Sequence, residues 1–104
     1  MISYHVHFSP KLGVDESTVI AAAHQFFQGL IADKKLRGYR ILRVTNAASF
    51  QALLRFQAIA DYNSQQELDE SFAFMREPGR KEAGAHGELM RLVADFKVSF
   101  TADV

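Results

Sequence analysis

The chain carries four histidines and no cysteine, so imidazoles are the groups best suited to proton transfer or metal ligation near neutral pH. His5 and His7 stand two residues apart in an alternating segment, which on a strand puts both rings on one face, roughly 6.6 Å apart. Such a pair can share a metal ion if a third ligand arrives from a neighbouring strand or a second subunit. The pattern aims no acidic residue at the same spot, so no metal site is expected, and the pair is read as part of a hydrogen-bonded polar sheet face. Beside Arg55 and Lys97, its protonation would weaken an interface closed over that face. His24 and His86 fall in helical patterns and are the candidate catalytic acid/base groups. Arg76, Arg80 and Lys81 flank Pro78-Gly79 and can favour an anion at a helix start, but Glu77 and Glu82 are interleaved with them, which favours a solvated surface. No phosphate loop, nucleophile elbow or zinc spacing is present.

These residues need elements to hold them. Ile2 to Ser9 alternate strictly, with Ile2, Tyr4, Val6 and Phe8 on one side and Ser3, His5, His7 and Ser9 on the other, which predicts a half-buried strand. Asp15 can cap a helix running to about Lys35, with Val19, Ala23, Phe26, Phe27, Leu30 and Ile31 on one stripe and Gly38 past its end. Lys34 and Lys35 would complement the carboxyl end of its dipole. Strands from Tyr39 to Thr45 and from Leu53 to Tyr62 then form a hairpin. Ser64 and Glu67 make a capping box for a second helix, with Leu68, Phe72 and Met75 as its buried stripe. Pro78 breaks that helix, and a second piece resumes near Arg80, weakened by Gly84 and Gly87 and held by Ala83, Met90 and Val93. A last strand follows from Asp95.

The order strand, helix, strand, strand, helix, strand is the split βαβ arrangement. It predicts an α+β, ferredoxin-like fold (βαββαβ): a four-stranded antiparallel sheet with the helices on one face, because the crossovers are right-handed. Residues 1–104 form a single domain in this reading. Leu54, Phe56, Phe96, Val98 and Phe100 join the first-strand apolar set beneath the helices. The opposite face receives His5, His7, Arg55, Gln57, Ile59, Lys97, Ser99 and Thr101, too rich in chemistry for ordinary surface, and a covering element is expected over it. Between sheet and helices, Tyr4, Phe27, Phe56, Phe72 and Phe74 can surround a flat organic ligand, with His24 and His86 looking in. The same residues also describe a filled, Phe-rich core with two histidines at its edge; the glycines and the Pro-Gly break favour looser packing.

Twelve basic residues balance twelve acidic ones, so no nucleic-acid or membrane partner is expected. The absence of cysteine excludes disulfides and thiolate chemistry, and no apolar run approaches the length of a membrane span. A cytoplasmic location is expected.

Length, element order, the Pro78 interruption and the closing Val93-Ala94-Asp95-Phe96-Lys97-Val98 resemble the dimeric α+β barrel superfamily, which includes antibiotic-biosynthesis-type monooxygenases and stress-responsive barrel proteins. The resemblance implies a homodimer whose sheets face one another, with a ligand pocket in each subunit between sheet and helices. Stress-responsive members often have a His-Pro-x-His turn, and a cyclase among them uses its last His with a His of the first strand. Here that turn reads Glu77-Pro78-Gly79-Arg80, a guanidinium that stays protonated, and alternation gives the pocket Tyr4 or Val6 in place of His5. Cyclase chemistry is therefore not implied. The leading expectation is a dimer binding a small apolar or aromatic molecule, with no cofactor. The alternatives are a cofactor-independent monooxygenase using His24 or His86, a non-enzymatic stress-linked interaction module, and haem degradation with His86 as axial ligand.

Overall fold

The computed structural model describes residues 1–33, 36–51, 53–75 and 84–104. Four strands, β1 (Ile2–Pro10), β2 (Gly38–Arg43), β3 (Phe56–Tyr62) and β4 (Val93–Ala102), make one sheet in the order β2-β3-β1-β4. All neighbours are antiparallel. Val6 lies opposite Ala58 on one side and Val98 on the other, so side chains of equal parity share a face across three strands. Tyr4, Val6 and Phe8 with Phe56, Ala58, Ala60 and Tyr62 face the helices, and β3 alternates between buried and half-buried residues accordingly.

Helix α1 (Glu16–Ala32) buries Val19, Ala22, Ala23, Phe26, Phe27 and Leu30, the three-and-four spacing of a single stripe. Each of its Phe side chains adds about 1.5–3 kcal/mol of burial. Asp15 occupies the N-cap with extended dihedrals but makes no side-chain cap bond. The helix ends at Ala32, short of the expected Lys35; Lys34 and Lys35 lie outside the described residues.

Helix α2 (Gln65–Met75) opens as expected on Ser64, whose Oγ accepts from Glu67 N at 3.2 Å, while Glu67 reaches back to Asn63 N at 3.2 Å. Its buried face carries Leu68 and Ser71, and the Ser71 hydroxyl bonds Tyr62 Oη at 3.0 Å in the interior. The expected Pro78 break, the restart at Arg80, the Arg76, Arg80 and Lys81 patch and Ala83 lie outside the described residues. Helix α3 (Gly84–Leu92) packs on α1. Gly84 has φ +67°, a left-handed conformation that suits glycine, so it marks the helix entry where a residue of the helix interior was expected.

Two expectations change at the sheet margins. Strand β3 begins at Phe56, leaving Leu53 and Leu54 in a loop beside Val44 and Thr45. Strand β4 begins at Val93 directly after α3, and its helix-side residues Phe96, Val98 and Phe100 are 45–50% exposed where a closed core was expected. The cause is position: β4 is an edge strand, and the main contacts of the described helices with the sheet fall on β2 and β3, toward the opposite edge.

Candidate functional site

Between the sheet and the helices lies an apolar cavity of about 70 Å³, partly open to solvent. Its floor is Tyr4, Val6 and Phe8 of β1 with Ala58 of β3; Phe26 and Phe27 of α1 form one wall. Met75 at the end of α2 and His86, Leu89 and Met90 of α3 close the other side, and Val93 and Phe96 continue into β4. Phe96 is the exposed member of this lining, at 46%, which puts the mouth beside it. The alternation of β1 delivers three floor residues at once, and the helical repeat of α3 places His86, Leu89 and Met90 on one side.

Of the residues expected to form a pocket, Tyr4, Phe27 and His86 meet here. The His86 ring meets Phe26 edge-on at 5.4 Å. Tyr4 stacks on Phe100 at 5.3 Å and takes the edge of Phe72 at 5.0 Å, so its ring is held by β4 and α2 together. Burial pushes the Tyr4 phenol up to about 12, and the neighbouring Tyr62 phenol adds to the effect. Burial likewise raises Tyr62, while its bond to Ser71 opposes the rise.

The other expected residues lie outside the lining. His24 turns toward β2, where its Nδ1 and Tyr39 Oη are 2.7 Å apart. Phe56 is fully buried between Phe8 and the Arg43 guanidinium, which lies 5.0 Å from its ring centre. Phe72 and Phe74 pack against the core from α2. The two candidate acid/base histidines are thus not brought together.

The open face of the sheet carries His5, His7, Gln57, Ile59, Lys97 and Ser99, cross-strand neighbours in the register. His5 Nε2 lies 2.8 Å from Thr101 Oγ1, and Gln57 Nε2 lies 3.4 Å from His5 Nδ1. If the amide donates to Nδ1, the ring proton sits on Nε2 and goes to the Thr101 hydroxyl. His7 Nδ1 is buried without a hydrogen-bond partner. Among the described residues no three His, Asp or Glu side chains gather in a metal-holding group.

Arg55 departs from that face. It precedes β3, and its Nη1 donates to Glu16 Oε2 at 2.9 Å, while Arg43 Nη1 donates to Glu16 Oε1 at 3.1 Å. The two guanidiniums hold the Glu16 carboxyl below the usual carboxylate range. No spacing in the sequence signals this trio, because its members come from α1, the end of β2 and the loop before β3. The cavity residues Val6, Phe8, Ala58 and Phe96 follow from strand parity alone; Met75 and Leu89 depend on how α2 and α3 dock, which the sequence does not encode locally.

A family model described as a family of unknown function, DUF6614, matches residues 1–103. The chain belongs to that family. No curated protein matches this DUF6614 chain. Among solved structures, a dimeric ferredoxin-like protein of unknown function from Jannaschia sp. CCS1 superposes with a TM-score of 0.71 at 16% identity, covering 99% of this chain and 100% of that one. SnoaB, a cofactor-independent oxygenase from Streptomyces nogalater, superposes at 0.72 with 11% identity over 98% of this chain and 91% of its own. A dabb family protein with a ferredoxin-like fold from Mesorhizobium loti gives 0.67 at 14% identity, covering 99% and 96%. The DUF6614 chain therefore has the ferredoxin-like fold shared by dimeric α+β proteins, and identities this low establish the fold alone. No helix among the described residues is long and apolar enough to cross a membrane.

Proposed function

We propose that this DUF6614 protein is a cytoplasmic homodimer joined through its open sheet faces, each subunit binding a small apolar or aromatic molecule in the cavity between sheet and helices. The observation that carries the reading is the cavity itself: an apolar space opening beside Phe96, with one imidazole and one phenol in an otherwise apolar lining. A benzene-sized ring occupies an engineered cavity of about 150 Å³, roughly twice the space here. A ring therefore enters by projecting into the mouth or by shifting Met75 and Met90, whose unbranched side chains repack at low cost. The dimer is supported by structural neighbours described as dimeric and by a face carrying Ile59 and Leu42 among hydrogen-bonded polar groups.

Calorimetric titration with indole tests ligand binding. Saturable binding with one site per chain is the expected result, and heats equal to dilution alone would refute it. The presence of His86 in the lining favours a second reading, cofactor-independent oxygenation of an electron-rich aromatic, in which this imidazole takes the substrate proton. Oxygen uptake with a dihydroxynaphthalene should then fall by about 10²-fold or more in His86→Ala. Uptake equal to the uncatalysed background in the unmodified protein would eliminate that reading.

A further inference from the structure

The chain contains three tyrosines, and two have their hydroxyls engaged. Tyr39 Oη lies 2.7 Å from His24 Nδ1, and Tyr62 Oη lies 3.0 Å from Ser71 Oγ. Tyr4 is different: it lines the cavity, two aromatic neighbours fix its ring, and no hydrogen bond satisfies its hydroxyl among the described residues. Tyr4 is half-buried, and a donor without a protein partner at the edge of an apolar space is commonly completed by water or by a ligand. The phenol keeps its proton throughout the physiological range, because burial and Tyr62 hold it protonated up to about pH 12, so what it offers a ligand is a donor.

We propose that the Tyr4 hydroxyl is the hydrogen-bond donor that orients the ligand, so that the cavity takes aromatic molecules bearing an acceptor oxygen, such as an aryl ketone, in preference to plain aromatic hydrocarbons. This rests on the ligand-binding reading above. Apart from His86, the rest of the lining sets the apolar character: Val6, Phe8 and Ala58 below and Leu89 and Met90 above offer no side-chain hydrogen bond of ordinary strength.

The test compares acetophenone with toluene, two ligands of similar shape of which one carries an acceptor, on the full chain and on Tyr4→Phe. The unmodified protein should bind acetophenone more tightly, and Tyr4→Phe should lose about two- to tenfold of that affinity while its toluene affinity stays the same. Equal binding of acetophenone by both proteins would overturn the proposal and leave the pocket reading standing. Failure of the unmodified protein to bind either ligand would overturn both. A second measurement avoids dependence on the variant's folding: with 13Cζ-labelled tyrosine, acetophenone should shift the Tyr4 resonance and leave those of Tyr39 and Tyr62 in place. A Tyr4 resonance unmoved at acetophenone saturation would contradict the assignment.

Discussion

Replacing Ala58 with Val tests whether the space between sheet and helices is real. Ala58 is 1% exposed on the cavity floor, in the middle of β3, where a β-branched side chain suits the strand. Enclosed empty volume in a protein interior costs about 24 cal/mol per Å³, so about 70 Å³, were it fully enclosed, would represent about 1.7 kcal/mol, and the partly open space here represents less. Two added methyl groups fill part of it, which makes about 1.7 kcal/mol an upper bound. For a domain of this size each kcal/mol moves Tm by about 4–8 °C, so the ceiling is a rise of about 7–14 °C. Thermal denaturation followed by circular dichroism, at one fixed protein concentration to hold any dimer contribution constant, reads the change. Indole affinity should fall in the same variant. A well-packed floor would respond in the opposite sense, losing about 1–3 kcal/mol to overpacking, and that loss would refute the cavity.

Other consequences follow from the ion pairs and the open sheet. The folded-state pKa of Glu16 is depressed by Arg43 and Arg55, so its stabilising contribution is present above the ordinary carboxylate pKa and disappears as pH falls through the depressed value. The Tm gap between the unmodified protein and Glu16→Gln should be largest near pH 7 and close on acidification and with added salt; a gap constant from pH 7 to pH 3 would contradict the linkage. Ile59 stands opposite His5 at the centre of the open face, so Ile59→Asp puts a carboxylate into the proposed interface. Light scattering should report a dimer for the unmodified protein and a monomer for this variant, with far-ultraviolet dichroism retained. A variant that remains dimeric would place the interface elsewhere.

Much of the fold is legible in the sequence because its signals are local. The alternation from Ile2 to Phe8, the stripe from Val19 to Leu30 and the Ser64/Glu67 box each specify an element without knowledge of the rest, and the crossover rule then selects the topology. Strand parity also separates the two faces, which is why Tyr4 reaches the helix side while His5 and His7 do not. The site is less legible. Whether His24 or His86 enters the cavity depends on helix rotation, and the 2.7 Å contact with Tyr39 that draws His24 to β2 joins residues whose spacing carries no motif. Half-exposure of Phe96, Val98 and Phe100 is equally hidden, because hydrophobic alternation shows which way a side chain points and not whether another element covers it. Arg55 shows the limit of parity itself: alternation assigns it to the open face only if the strand extends that far, and β3 starts one residue later.

The claim that the apolar cavity is a ligand site is tested most directly with the three methionines as reporters. Met75 and Met90 line the cavity, whereas Met1 lies at the amino terminus, outside the lining and 41% exposed. In protein labelled with [13C]methyl methionine, titration with toluene should produce saturable shifts of the Met75 and Met90 methyl resonances while Met1 stays fixed. Movement of Met1 alone, or no movement at saturating toluene, would contradict the account.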